Sequence, residues 1–185
     1  MTGQLFEFVP PERFVVGTVG EPGERTFFLQ ARGNGRVTSV VLEKGQVRLL
    51  AERIDELLSE ASRRFGADVS GSAPVDHGPL ETPIEEEFRV GAIGLGWDSD
   101  TELVVVEMIE LSDDEETEPD SEDLDRLRVQ IAPAVAKAFA TRARSVVAAG
   151  RPPCPWCGGP IDVEGHLCPR SNGYRRRQDE DEDIV

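Results

Sequence analysis

Arg36-Val37-Thr38-Ser39-Val40-Val41-Leu42-Glu43-Lys44-Gly45-Gln46-Val47-Arg48-Leu49-Leu50-Ala51 changes its period halfway along. Up to Leu42 it is a short Val- and Leu-rich run of strand character. From Glu43 onward the apolar residues Val47, Leu50, Ala51, Ile54, Leu57, Leu58, Ala61 and Phe65 return every three or four positions. Arg48, Glu52, Arg53, Glu56, Glu60 and Arg63 fill the other side, so residues 43–65 are predicted to form an amphipathic helix lying on a sheet. Gly66 is its expected stop.

Upstream, Leu5 to Val9, Arg13 to Val19 and Thr26 to Ala31 have the same Phe-, Val- and Leu-rich character as Arg36 to Leu42. Glu21-Pro22-Gly23-Glu24 and Gly33-Asn34-Gly35 provide turns between the last three of these strands. Short connections imply neighbouring strands, and the expectation is an antiparallel meander of four. Downstream, Glu87 to Leu95 and Glu102 to Leu111 form a further pair joined at Trp97-Asp98-Ser99-Asp100. Gly91, Gly94 and Gly96 lack the strand-turn-helix setting of a dinucleotide loop and are expected to allow close packing instead. Trp97 either fills that space or stands exposed as a binding anchor.

Between these parts, residues 67–83 hold Gly, Ser, Pro74, Pro79 and Pro83, a composition expected to give a flexible surface loop. Asp76-His77 lies in it with no nucleophile motif nearby, and a solvated tip is the favoured reading over a catalytic pair. The run from Ser112 to Asp123 is dominated by Asp and Glu and reads as a flexible acidic linker. A second helix is expected after Ser121 or Asp123, with Leu124, Leu127, Ile131, Val135, Phe139 and Val146 as its buried stripe. Pro133 falls inside that stripe, which calls for a bend there or a later start.

All three cysteines and one of the two histidines gather near the end, as Cys154-Pro155-Trp156-Cys157 and His166-Leu167-Cys168. A Cys-x2-Cys turn aims two sulfurs at one point, and His166 and Cys168 return to fill the remaining tetrahedral corners, the donor types that Zn²⁺ prefers. Four protein donors leave no open position, so the zinc is expected to be structural. An odd cysteine count argues against a disulfide framework. After Cys168 comes the basic aromatic cluster Pro169 to Arg177, whose Arg170, Asn172, Tyr174, Arg175 and Arg176, together with Trp97, form a candidate binding surface. Its arginines are expected to pair with the acidic linker or with the acidic tail rather than with a polyanion.

The net charge of -16 opposes binding to nucleic acid or to an anionic membrane. No apolar run has membrane-spanning length, and the opening Met1 to Phe6 lacks a secretory pattern, which predicts a cytoplasmic protein. Two lysines against eighteen arginines suggest a GC-rich genome.

Phe6-Glu7-Phe8, Arg13 to Gly20, Phe27 to Ala31, Val41 to Val47 and Gly165 to Arg175 together resemble an actinobacterial family of unknown function, over nearly the whole chain. The resemblance implies gene neighbours of phosphomutase-like and kinase-like type and a link to a ParA-type partition ATPase. It implies no catalytic residues.

These readings define an α+β protein, an antiparallel sheet with two main helices and a C-terminal zinc knuckle. The core spans 1–150, with the loop at 67–83 and the acidic linker at 112–122; the knuckle spans 151–175, and a disordered acidic tail spans 176–185. The expected function is a non-catalytic, zinc-binding regulatory or protein-interaction module, with the partition ATPase as a candidate partner. The alternatives are a small-molecule or phosphate-binding enzyme using the sheet near Gly91 to Trp97 with His77 or the arginine cluster, and a nucleic-acid binder.

Overall fold

The computed structural model describes residues 2–112, 121–150, 154–159, 161 and 166–168. The chain divides into two compact units, Met1–Ala148 and Ala149–Val185. The first is α+β. Among the described residues it contains β1 Leu5–Phe8, β2 Arg13–Val19, β3 Thr26–Gly33, β4 Arg36–Leu42, α1 Lys44–Phe65, β5 Glu86–Asp98, β6 Leu103–Glu110, β7 Arg126–Ile131 and α2 Pro133–Ala148. No helix of the described residues is long and apolar enough to cross a membrane.

The strands form one sheet in the order β1-β7-β6-β5-β4-β3-β2. The meander expected from four consecutive strands is therefore real only for β2, β3 and β4. β1 instead pairs in parallel with β7, Leu5 opposite Arg126 and Phe8 opposite Val129. The β4–β5 pairing is also parallel, with α1 in the crossover, so the sheet is mostly rather than wholly antiparallel.

β1 and β2 lie at opposite ends of this order yet are joined by residues 9–12 alone, which forces the sheet to curl until its ends approach. Contacts across the curl result. The Phe8 ring lies 3.0 Å from where a Cβ on Gly33 would sit, so any larger residue there would press on the ring. The Arg36 guanidinium of β4 lies 4.4 Å from the centre of the Phe6 ring of β1. β5 makes the bend. It pairs with β4 up to Arg89 and with β6 from Val90, with a register break between Val90 and Ala92. Gly91 sits at that break, where a Cβ would come within 2.7 Å of Leu111 Cα. The small residue expected to allow close packing does so at this position.

The helices bury their apolar stripes inside the curl. Val47, Leu50, Ala51, Ile54, Leu58 and Ala61 of α1 and Ala136, Phe139, Ala140 and Ala143 of α2 are buried, and the two stripes meet a sheet face that includes Val16, Leu29, Val40, Val104, Val106, Met108, Leu127 and Ile131. Each large side chain removed from water here contributes about 1.5–3 kcal/mol. Phe14 of β2 stacks on Phe139 of α2 with ring centroids 4.4 Å apart.

α1 begins and ends as its sequence predicts. The Gln46 Oε1 accepts from the Glu43 N–H at 2.8 Å, its Nε2 donates to Val90 O at 3.0 Å, and Gly66 closes the helix with φ 65°. The second helix starts later than its capping signal, one of the two outcomes expected from Pro133, and the residues before it form a strand. Leu127, Val129 and Ile131 are buried on the alternating face of strand β7, and α2 starts at Pro133. Proline suits the first helical turn, where its missing N–H has no partner to lose. The apparent helical stripe from Leu124 is the sum of a strand and a helix read through as one.

Candidate metal centre

The Cys-x2-Cys turn is built by its own backbone. The Cys154 N–H donates to Gly159 O at 2.7 Å and the Gly158 N–H donates to Cys154 O at 2.8 Å. Gly158 adopts φ +73°, a conformation that residues with a Cβ rarely take. This turn sets the Cys154 and Cys157 side chains beside the returning His166 and Cys168.

The Cys154 and Cys168 sulfurs lie 3.8 Å apart, and the Cys157 sulfur lies 3.3 Å from His166 Nε2. The four donor atoms all fall within 4.8 Å of one another. A disulfide would need ~2.05 Å between sulfurs. A tetrahedral ion with bonds of ~2.3 Å to sulfur and ~2.0 Å to nitrogen implies donor separations of roughly 3.5–3.8 Å, close to the 3.8 Å between Cys154 and Cys168 and the 3.3 Å between Cys157 and His166. Thiolates this close repel one another, and a divalent cation at the centre offsets that repulsion. The cluster can hold a metal ion. Cys154 and Cys168 are buried, whereas Cys157 and His166 are half-buried.

Two apolar side chains stand out on the same loops. Trp156, between two ligands, is 67% exposed, and Leu167, between the other two, is 87% exposed. Neither is among the residues the sequence marks as a binding surface, although their positions within the ligand spacing were the available signal. Of the residues assigned to a candidate binding surface, Trp97 packs half-buried against the core, its indole Nε1 buried with no hydrogen-bond partner among the described residues. Arg170, Asn172, Tyr174, Arg175 and Arg176 lie outside the described residues, as do residues 113–120 of the acidic linker and the tail.

The loop at 67–83 contains no helix or strand, and its second half is bonded to the sheet and to α2. Arg13 Nε donates to Asp76 Oδ2 at 2.7 Å, Arg142 Nη2 to Gly78 O at 2.9 Å and Arg32 Nη1 to Glu81 Oε1 at 2.6 Å. Arg142 also donates to the Asp76 carbonyl and, at 2.6 Å, to Val16 O on edge strand β2. Gln30 donates to Glu81 O and accepts from the Glu81 N–H. The Arg13 hydrogen bond holds the Asp76 carboxyl down at about 2. Burial pushes the Arg142 guanidinium down while the Asp76 charge opposes the shift. Asp76 is thus committed to arginines, and His77 beside it is exposed.

Near Gly91, a groove of ≈ 460 Å³ separates α1 from β5, walled by Leu49, Leu50, Leu57, Ile93 and Leu95. Arg53 and Glu56 at its rim pair with each other at 2.8 Å.

The profile of the family described as Protein of unknown function (DUF3090) matches residues 6–168, and the chain belongs to that family. No curated protein and no solved structure matches the chain.

Proposed function

We propose that the protein is a non-catalytic, zinc-binding regulatory module that docks on another protein through its C-terminal knuckle. One observation carries this reading: Cys154, Cys157, His166 and Cys168 bring four donor atoms within 4.8 Å. Three thiolates and an imidazole suit Zn²⁺ better than the harder oxygen-seeking cations, and four protein donors make the site structural. The ion takes the place of the apolar burial that so small a loop cannot supply. A reducing cytoplasm, the setting inferred from the sequence, keeps the thiols available.

The docking surface consists of Trp156 and Leu167, held in place by the ligands on either side of them. An exposed tryptophan on a rigid base is the kind of side chain that anchors an interface, and Leu167 adds exposed apolar area on the facing loop. The resemblance to an actinobacterial family points to a ParA-type partition ATPase as the partner. A net charge of -16 disfavours nucleic acid.

Metal analysis of the reduced, purified chain should find about one zinc per molecule. The zinc-loaded chain should then bind the ParA-type ATPase of its own cytosol, and the Trp156→Ser/Leu167→Ser variant should retain zinc but not the ATPase. Absence of stoichiometric zinc overturns the metal assignment; equal binding by the variant overturns the docking surface.

A further inference from the structure

Resting on the zinc reading above, we infer that the knuckle is a peroxide-responsive switch in which Cys157 is oxidised first and a buried cysteine of the same cluster then closes a disulfide, expelling the metal. The donor set is lopsided in a way that sets this order. Cys154 and Cys168 are buried, while Cys157 is half-buried beside the half-buried His166. An oxidant arriving from solvent meets the Cys157 sulfur before the other two.

The same packing decides the second step. Every sulfur lies within 4.8 Å of the others, so an oxidised Cys157 has two intramolecular thiolates at hand. The chain's three cysteines are all in this cluster, and one disulfide leaves a single thiolate and the imidazole as donors. Two protein donors do not retain zinc against the four of the intact site.

The chemistry balances with a hydroperoxide as the only co-reactant. The Cys157 thiolate attacks one peroxide oxygen; the O–O bond breaks, sulfur loses two electrons and becomes a sulfenic acid, and the departing hydroxide takes a proton to form water. The thiolate of Cys154 or Cys168 then attacks the Cys157 sulfur. An S–S bond forms, the S–OH bond breaks, and the second hydroxide is protonated to water. Two thiolates, one hydrogen peroxide and two protons become one disulfide and two waters. Trp156 and Leu167 lie between the ligands, so loss of the metal also undoes the surface they form.

The test uses the full-length zinc-loaded chain, with zinc content measured before any oxidant is added. That first value judges the zinc reading separately. Hydrogen peroxide is then added while a chromogenic chelator tracks released zinc and intact mass tracks the protein. About one zinc should leave per chain as the mass falls by ~2 Da, and a dithiol reductant with added zinc should reverse both changes. Peptide mapping should find Cys157 in the disulfide. Cys157→His keeps four donors and should release zinc about tenfold more slowly, whereas Cys168→His should still form a dimedone-trappable sulfenate at Cys157. Zinc retained under excess peroxide, a Cys154–Cys168 disulfide, a disulfide between chains, or an unchanged rate in Cys157→His would each overturn the inference.

Discussion

Leu80 sits directly over Gly17: a Cβ built on residue 17 would come within 2.7 Å of the Leu80 Cγ. The loop at 67–83 thus reaches the face of β2 through the missing side chain of one glycine. Gly17→Ala should destabilise the protein by about 1–3 kcal/mol through overpacking. Adding Leu80→Ala should recover part of that loss, a non-additivity that urea unfolding of the two single variants and the double variant will measure.

Arg142 ties the same loop from the other side. It is 7% exposed and donates to carbonyls of β2 and of the loop as well as to Asp76. Arg142→Met should cost about 2–4 kcal/mol, because buried carbonyls lose their donor while Asp76 keeps Arg13. Arg142→Lys should recover little, since an ammonium cannot reach several acceptors in one plane. Denaturant midpoints will rank the three proteins.

Asp76 makes part of this stability depend on pH. Its carboxyl titrates at about 2 when folded against an ordinary 3.8, so its contribution is complete above the unfolded value and is lost as the pH falls through the folded one. With the side chain 38% exposed, solvent screening reduces the expected loss between pH 4 and pH 2 to about 1 kcal/mol. Asp76→Asn should be less stable at neutral pH and should lack that step in a stability profile against pH.

Thr38 offers a gain. It is fully buried in β4, and its hydroxyl has no hydrogen-bond partner among the described residues. Thr38→Val keeps the branched shape that suits a strand and removes the unpaired group, so thermal unfolding should show stabilisation of about 0.5–1 kcal/mol.

At the metal centre, His166→Cys should retain one zinc, because a fourth thiolate completes the tetrahedron. His166→Ala should weaken zinc binding by more than the ~10–100-fold that changes outside the ligand shell cost. Competition with a chelator of known affinity will separate the two outcomes.

How much of this was legible in the sequence depended on the range of the interactions. α1 carried its period and its stop within residues 43–66, and the metal cluster carried its donors within fifteen. β1 did not reveal its partner, because the run around Leu127 that pairs with it resembled the start of a helix. Pro133 was the clue: of the bend and the later start that it called for, the later start is the one the helix shows. The loop at 67–83 looked like a surface excursion by composition. Its bonds reach 63 residues back to Arg13 and 66 residues forward to Arg142, and no local pattern announces such partners. Trp156 and Leu167 were visible throughout but were overshadowed by the ligands beside them.

The Leu5–Arg126 pairing has a consequence for how the protein is made. Among the described strands β1 lies at the edge of the sheet, and its neighbour there, β7, is synthesised 121 residues after it. At roughly 5–20 residues per second, β1 waits on the order of 10 s for β7 to appear. Until then Phe6 and Phe8 lack the strand that positions them, and the nascent chain carries an unfinished sheet with an apolar N-terminal segment to shelter.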